Sequence, residues 1–190
     1  LDIDVRRGEI LGVVGGSGSG KSVLLRSIIG LLKPRAGTIT INGRDQNTLS
    51  GDEADKARRD WGVMFQDRSE ERRVGKEHFS LSTSLMDDLA RSKVSMVGLP
   101  YEAAKLFPAD LSGGMRKRAA LARSLALDPK ILFLDEPTAG LDPIGAAAFD
   151  ELIVDLSKSL GLTVFLVTHD LDTLYRVCDR VAALGDKKIL

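Results

Sequence analysis

Short apolar runs alternate with longer helical patterns along the 190-residue chain. Three of the runs, at residues 9–14, 131–134 and 164–167, are of strand length and are almost uninterrupted by polar side chains. Such runs are typical of strands that are buried on both faces, as in a parallel sheet. Residues 1–5 alternate between apolar and polar positions, as the middle of a half-buried strand does. The pattern therefore predicts an α/β fold in which helices cover a mostly parallel sheet.

Helical spacing and turn residues define the remaining predicted elements. Helices are predicted at residues 21–32, 52–60, 81–97, 116–127 and 145–160, with Lys33-Pro34 ending the first and Gly161 ending the last. Shorter strands are predicted at residues 38–41, closed by the turn Asn42-Gly43, and at residues 62–65, which lead into Gln66. After these, strands are predicted only at residues 131–134 and 164–167.

The pattern changes between residues 67 and 128, where charged segments and helical spacing replace the strand runs. We therefore expect a single domain in which residues 1–66 and 129–190 form the α/β core and residues 67–128 form a helical insertion. The chain opens on Leu1 rather than on Met. We expect a fragment that is truncated at both ends.

Composition limits the classes of partner. Lys and Arg number 27 and Asp and Glu number 27, so no overall basic field would hold a nucleic-acid backbone, and we expect no nucleic-acid partner. The apolar runs are much shorter than the roughly 18 residues of a membrane span, and no basic, apolar leader is visible, so we expect a cytoplasmic protein. The single cysteine, Cys178, is expected to be a small buried apolar residue.

The strongest local motif follows the first apolar run and satisfies the phosphate-loop pattern GxxxxGK[ST]. Its residues are Gly15, Gly16, Ser17, Gly18, Ser19, Gly20, Lys21 and Ser22. Glycines let the backbone curl so that successive amides point at phosphates, and the following helix adds the positive end of its dipole. Lys21 can reach the β- and γ-phosphates, and the Ser22 hydroxyl can coordinate Mg²⁺. The motif therefore predicts a nucleotide site.

Two acids, Asp135 and Glu136, directly follow the apolar run at residues 131–134. In α/β sheets, ligands bind at the carboxyl ends of the strands, so these acids are expected beside the phosphate loop. Asp135 would hold Mg²⁺ through water, and Glu136 would polarise the attacking water as a general base. Without the phosphate loop, an ordinary solvated loop would be the simpler interpretation of the two acids.

A second anion site is predicted at residues 111–115, LSGGM, which precede a helical stretch. Ser112 and the amides of Gly113 and Gly114 would lie at a helix N-terminus, although a glycine turn that caps the helix is the plain alternative. The chain has only one phosphate loop, so a second anion site makes sense if it serves nucleotide held by another copy. The motif resembles the signature sequence, usually LSGGQ, of ATP-binding cassette (ABC) proteins.

Membership of that family would account for three further residues. Gln66 matches the glutamine that contacts Mg²⁺ and senses the transporter. The segment AGLD, which ends at Asp142, resembles the family's loop that crosses the dimer interface. His169 resembles the switch histidine that contacts the γ-phosphate. The resemblance implies a P-loop NTPase of the ABC ATPase type, with a RecA-like core, an antiparallel β region and a helical subdomain, that uses ATP and Mg²⁺.

The resemblance assigns the site residues as follows. Catalytic roles fall to Glu136, His169 and Gln66; Mg²⁺ ligation to Ser22, Gln66 and Asp135; and nucleotide contacts to the phosphate loop with Ser112, Gly113, Gly114 and Asp142. Two copies would bind ATP head to tail beneath an integral membrane permease, at the cytoplasmic face of the bacterial inner membrane. Residues 111–128 and FLDEPTAGLDPI at 133–144 resemble, more narrowly, the ATPase subunits of Mla- and Mce-type phospholipid importers. The basic residues that follow LSGGM form either a solvated helix face or a specific contact.

The sequence departs from the family in two places. No aromatic residue precedes the first buried strand to stack on adenine, and residues 68–77 are charged where the family has small and apolar residues that shape the permease groove. The second departure indicates a deletion or foreign sequence, or else an ordinary divergent loop; in each case permease docking is the function most at risk.

Two other functions stay open beside transport. One is a cassette without a transporter, as in translation or DNA-repair factors, although the paired cassettes or long coiled coils of those proteins do not occur in this sequence. The other is a nucleotide-binding module that is uncoupled from turnover.

Overall fold

The computed structural model describes residues 1–65, 83–185 and 188–189. Its strands are β1 (Ile10–Val14), β2 (Thr40–Ile41), β3 (Arg44–Asp45), β4 (Trp61–Met64), β5 (Ile131–Asp135), β6 (Thr163–Val167), β7 (Arg180–Gly185) and β8 (Lys188–Ile189). Its helices are α1 (Lys21–Ile28), α2 (Asp52–Arg59), α3 (Thr83–Met96), α4 (Gly113–Ser124), α5 (Pro143–Leu160) and α6 (Leu171–Val177), with a 3-10 turn at Tyr101–Lys105. Gln66 and the charged segment 68–77 lie outside the described residues.

The main sheet has the strand order β4-β5-β6-β1-β7-β8. Every neighbouring pair from β4 to β7 is parallel, and β8 runs antiparallel to β7 at the edge. A separate antiparallel hairpin joins β2 to β3 through Asn42 and Gly43, both with positive φ, as an Asn-Gly hairpin turn requires. The predicted α/β fold with a mostly parallel sheet is confirmed.

Both faces of the sheet are covered, which explains the uninterrupted apolar runs. On β5, Leu132 and Leu134 pack into one core with residues of α4, α5 and α6. Phe133, between them, packs into a second core with Leu25 of α1 and with Ile29, the residue that follows α1. Alternate side chains of a strand point to opposite faces, so a strand between two helical layers must be apolar at every position.

The register brings three strand ends to one edge of the sheet. Val13 of β1 is opposite Val167 of β6, which is in turn opposite Asp135 of β5. The amide of Thr168 continues this pattern by donating to the carbonyl of Val13. The segments that follow β1, β5 and β6 therefore leave the sheet side by side, and these segments carry the predicted phosphate loop, the acidic pair and His169.

Several sequence predictions need correction. Residues 1–5 belong to neither sheet, and Leu1 is 59% exposed, so their alternation does not mark a strand. The prediction that strands end at residue 167 was wrong, because β7 pairs with β1 along its length. Its apolar run, Val-Ala-Ala-Leu at residues 181–184, is half alanine, a residue that is depleted in strands.

Two helix boundaries also differ from the prediction. Helix α1 ends at Ile28, before the predicted stop at Lys33-Pro34, because Gly30 takes φ 76° and lets the amides of Leu31 and Leu32 donate to the carbonyl of Arg26. Helix α4 begins at Gly113, earlier than predicted, because Ser112 caps it. The helix predicted to end at Gly161 does end there, with Gly161 at φ 64°. The division into a core and a helical insertion stays a prediction.

Candidate functional site

The phosphate loop connects the end of β1 to the start of α1, and two of its glycines are required by geometry. A Cβ on Gly15 would lie 2.4 Å from the carbonyl oxygen of Leu184, a backbone atom that cannot easily move aside. Gly20 takes φ 102°, a region that L side chains rarely adopt, at the N-cap of α1. The backbone can therefore curl tightly here only because these positions lack side chains.

The groups that the loop presents fit a phosphate. Within the described residues, no side chain caps the N-terminus of α1, so the helix's first amides have no side-chain acceptor there. The hydroxyl of Ser19 is buried and has no hydrogen-bond partner in the described part of the chain. Nζ of Lys21 donates to the carbonyl of Gly15 at 2.6 Å and to that of Gly16 at 3.1 Å, which holds the ammonium group above the loop. Uncapped amides, an unpartnered hydroxyl and a fixed cation are the groups that bind phosphate at helix N-termini.

Glu136 follows β5 in an uncommon backbone conformation. Its φ is 49°, and it precedes Pro137, which normally drives the preceding residue toward extended backbone. Its amide donates to the carbonyl of Val167 at 2.8 Å, which ties it to the end of β6. Its carboxylate accepts from the hydroxyl of Thr168 at 3.2 Å and lies 2.7 Å from Nδ1 of His169. Because a carboxylate only accepts, Nδ1 carries the proton in this pair.

Two of the three predicted catalytic residues, Glu136 and His169, lie among the described residues and differ in exposure. The side chain of Glu136 is 11% exposed, and that of His169 is 71% exposed. The carboxylate is thus held in place from the protein side by Thr168, while the histidine lies on the solvent side of it. The sequence prediction did not assign Thr168 a role, although its place directly before His169 was visible.

The predicted Mg²⁺ ligands differ in how far the structure describes them. Asp135 ends β5 and is buried, and Ser22 lies in the first turn of α1. A hydroxyl and a carboxylate suit Mg²⁺, which takes oxygen ligands and keeps water and phosphate oxygens in its shell. No group of three or more His, Cys, Asp or Glu that could hold a metal ion is found among the described residues. The predicted ligand Gln66 is not among them.

The predicted signature segment begins α4. Ser112 is the N-cap, and its Oγ accepts from the amide of Met115 at 3.2 Å. Ser112 and Gly113 are exposed, and a Cβ on Gly114 would have nothing within 4 Å. Within one chain this segment therefore acts as a helix cap, the plain alternative.

The basic residues after LSGGM make specific contacts. Arg116 donates to the carbonyl of Leu111 at 2.5 Å, Lys117 to that of Glu136 at 3.0 Å, and Arg118 to that of Val97 at 2.7 Å. Each acceptor belongs to a different segment of the chain. Of the two interpretations that the sequence left open, the specific contact is therefore the one observed.

Asp142 is the N-cap of α5. Its Oδ1 accepts from the amides of Ile144 at 3.1 Å and Gly145 at 2.9 Å. These bonds satisfy two of the amides that a helix N-terminus leaves free. The position of Asp142 in a dimer interface stays a prediction.

A buried polar group that the sequence did not predict lies behind the site. Asp150 of α5 is 1% exposed, and Thr173 of α6 donates to its Oδ2 at 3.2 Å. The hydroxyl of Thr173 also lies 3.2 Å from that of Thr138, which follows Glu136 closely in the chain. Burial raises the pKa of the Asp150 carboxyl from 3.8 to about 6, although the hydrogen bond from Thr173 and the charge of Arg176 act in the opposite direction.

Burial also raises the pKa of the Cys178 thiol, to about 12.

The helices of the described residues include none that is long and apolar enough to cross a membrane.

The model of the ABC transporter family matches residues 1–139. The methionine import ATP-binding protein MetN of Geobacillus kaustophilus is 37% identical over 209 residues, covering 100% of this chain and 58% of that protein. The probable ribonucleotide transport ATP-binding protein mkl of Mycobacterium leprae is 39% identical over 199 residues, covering 100% and 57%. The chain thus spans a little over half the length of these curated relatives.

Solved structures agree with the family match. The dimeric bacterial ABC transporter cassette MJ0796 has a TM-score of 0.84 and 32% identity, covering 98% of this chain and 85% of that one. The cassette cbiO1 of Clostridium perfringens, part of the transporter complex cbiONQ, has a TM-score of 0.84 and 31% identity, covering 100% and 78%. A further match, again MJ0796, is a post-hydrolysis state bound to ADP and Pi. The fold is that of a P-loop NTPase cassette, whose nucleotide is ATP with Mg²⁺, and the chain belongs to the ABC transporter family.

Proposed function

We propose that this chain is an ATP-binding and ATP-hydrolysing subunit that works in pairs to power an ABC transporter. The observation that carries the proposal is the place of Glu136. Its buried carboxylate leaves the sheet at the same edge as the phosphate loop and is oriented by two neighbours, Thr168 and His169. A fixed carboxylate beside a phosphate site is what a general base for hydrolysis requires.

Each described site residue has a role in this proposal. ATP with Mg²⁺ supplies the scissile phosphoanhydride bond and a cation that offsets the charge of the phosphates. The phosphate loop and Lys21 bind the phosphate chain, and Ser22 and Asp135 would hold the cation. Glu136 accepts a proton from the attacking water, and His169 supports the γ-phosphate. We extend the metal and catalytic roles to Gln66 from the family resemblance alone.

A second copy completes the site in this proposal. Ser112, Gly113 and Gly114 lie at the start of α4, and amides at a helix N-terminus attract anions. In a head-to-tail pair they would bind ATP held by the opposite phosphate loop, and Asp142 would lie at the interface. The dimeric state of the MJ0796 cassette supports this arrangement.

The transport partner would be an integral membrane permease, and the chain would lie at the cytoplasmic face of the bacterial inner membrane. The inclusion of cbiO1 in a transporter complex supports a permease partner. The names of the relatives point to methionine or ribonucleotide as cargo, whereas phospholipid rests only on the narrower resemblance around residues 111–128. MetN is named for import, which favours import as the direction in this proposal.

The test measures ATP hydrolysis by the purified chain alone and with a co-purified membrane subunit. Hydrolysis that the membrane subunit stimulates supports a transport ATPase. Hydrolysis without stimulation favours a cassette that serves no transporter, and binding without hydrolysis favours an uncoupled nucleotide-binding module. With the subunit in vesicles, stimulation by phospholipid, methionine or ribonucleotide identifies the cargo class.

A further inference from the structure

Lys117 makes a contact that crosses from α4 to the ATP-binding half of the same chain. Its Nζ donates to the backbone carbonyl of Glu136 at 3.0 Å, although the two residues lie 19 positions apart in sequence. Ser112, at the start of the same helix, belongs to the segment proposed to serve the opposite copy's ATP. The side chain of Lys117 therefore connects α4, which is proposed to serve the opposite copy's ATP, with Glu136, the proposed base for the ATP of its own chain.

The residue that Lys117 contacts needs external support. A non-glycine residue at φ 49° before a proline is in a strained conformation, which persists only where its surroundings fix it. The carbonyl of Glu136 accepts from the amide of Ala139 at 3.2 Å, and the amide of Glu136 donates to the carbonyl of Val167. Those two bonds come from the adjoining turn and strand, and the bond from Lys117 comes from a separate helix. The peptide that carries the carboxylate is thus held on more than one side.

We infer that Lys117 is a positioning residue that fixes the backbone of Glu136 and thereby the direction of its carboxylate. A hydrogen bond from a charged donor is about twice as strong as a neutral one. Without it, the carbonyl of Glu136 keeps the 3.2 Å bond from Ala139 but loses its charged donor, so the peptide is held less firmly. A shift of about 1 Å at a reacting group costs on the order of 100-fold in rate. Lys117 can have this role only if the chain hydrolyses ATP as proposed above.

Arg118 provides a matched control on the same helix. It too is basic and donates to a backbone carbonyl, but its acceptor is Val97, at the end of α3. Its loss removes one contact of α4 and leaves the support of Glu136 intact. If Lys117 acts only by anchoring the helix, Lys117→Met and Arg118→Met have the same effect.

The experiment measures kcat and KM for ATP, with thermal midpoints, in Lys117→Met, Lys117→Arg and Arg118→Met. We expect Lys117→Met to lower kcat by about 10- to 100-fold with KM within about twofold of the parent. Lys117→Arg keeps a charged donor and restores most of kcat, and Arg118→Met stays near the parent rate.

Three results would overturn the role of Lys117. The first is a kcat of Lys117→Met that equals the kcat of the parent. The second is a fall in kcat and in thermal midpoint that is the same in Lys117→Met and in Arg118→Met. The third is failure of both Lys117→Met and a second variant, Lys117→Gln, to fold, which would assign the side chain to packing. If the parent chain itself hydrolyses no ATP, the proposed function fails; if it does and the variants match it, only the role of Lys117 fails.

Discussion

Nδ1 of His169 lies 2.7 Å from Oε1 of Glu136, so two of the three predicted catalytic residues are hydrogen-bonded to each other. Thr168 occupies the second carboxylate oxygen. The base is therefore oriented by the two residues that follow β6, one buried and one exposed. Any movement of the segment after β6 changes the support of the carboxylate directly.

Glu136→Gln tests the base. The amide keeps the shape of the side chain and can still bond Thr168, but it cannot accept a proton, so we expect ATP binding to persist while turnover falls by about 10²–10⁴-fold. Single-turnover hydrolysis and nucleotide titration measure the two effects. Glu151→Gln, an exposed glutamate on α5, is the control and keeps the parent rate. Turnover of Glu136→Gln at the parent rate would assign the base elsewhere.

Lys21→Ala tests the phosphate loop. The ammonium of Lys21 is fixed above the loop by the carbonyls of Gly15 and Gly16, and its loss removes the side-chain cation beside the phosphates. We expect tight ATP binding to disappear in calorimetry. Lys33→Ala, an exposed lysine beyond α1, is the matched control and retains affinity. Equal affinity of Lys21→Ala and the parent contradicts the assigned site.

Mixed dimers test the head-to-tail arrangement. Ser112→Arg places a bulky cation at the start of α4 and blocks the surface offered to the opposite copy. A heterodimer of Ser112→Arg with Lys21→Ala keeps one complete composite site, whereas each homodimer keeps none. We expect hydrolysis only in the heterodimer, at about half the parent rate if the sites act independently. Equal inactivity of all three assemblies, with pairing verified by size, counts against the arrangement.

Asp150→Asn tests the buried carboxyl behind the site. The folded pKa of about 6 lies above the ordinary 3.8, so the stability that Asp150 contributes is fully present below pH 3.8 and is lost as pH rises through 6. Asparagine stays neutral and avoids that loss. From pH 4 to pH 7.5 we expect the free energy of unfolding of the variant to gain roughly 2–3 kcal/mol relative to the parent.

Urea unfolding at the two pH values measures this difference. Asp155→Asn, on an exposed position of α5, is the control and changes little with pH relative to the parent. A pH-independent difference between Asp150→Asn and the parent would mean that the carboxyl is charged in the folded protein throughout this range. Arg176, 3.7 Å from Oδ2, is the cation that could keep it charged.

Local sequence predicted the parts of the fold that depend on burial from both sides. β1, β5 and β6 lie between two helical layers, and each is an uninterrupted apolar run that is visible without any structure. β7 was missed because its apolar run at residues 181–184 is half alanine, which gives a weak strand signal. The phosphate loop was predictable for a different reason, since all residues of its pattern are contiguous in the chain.

Contacts between distant segments were not predictable in this way. The left-handed backbone of Glu136 depends on partners from β6 and α4, which no local pattern connects. Asp150 resembles a solvated helix position in sequence, and only the packing of α6 on α5 buries it. The alignment with MetN spans 209 residues, whereas this chain has 190. A deletion near residues 68–77 would account for the difference, and the position of that deletion stays a prediction.

The place of β1 in the middle of the sheet has a consequence for biosynthesis. A ribosome makes this strand and the phosphate loop first, and the strand's two neighbours, β6 and β7, are made more than 140 residues after them. Pairing over such distances is slow, because the entropy of closing the loop must be overcome before any contact forms. Until then the backbone of the nascent strand lacks both of its sheet partners. The chain therefore acquires a nucleotide pocket only after β6 and β7 have been synthesised, and ATP cannot stabilise earlier folding intermediates.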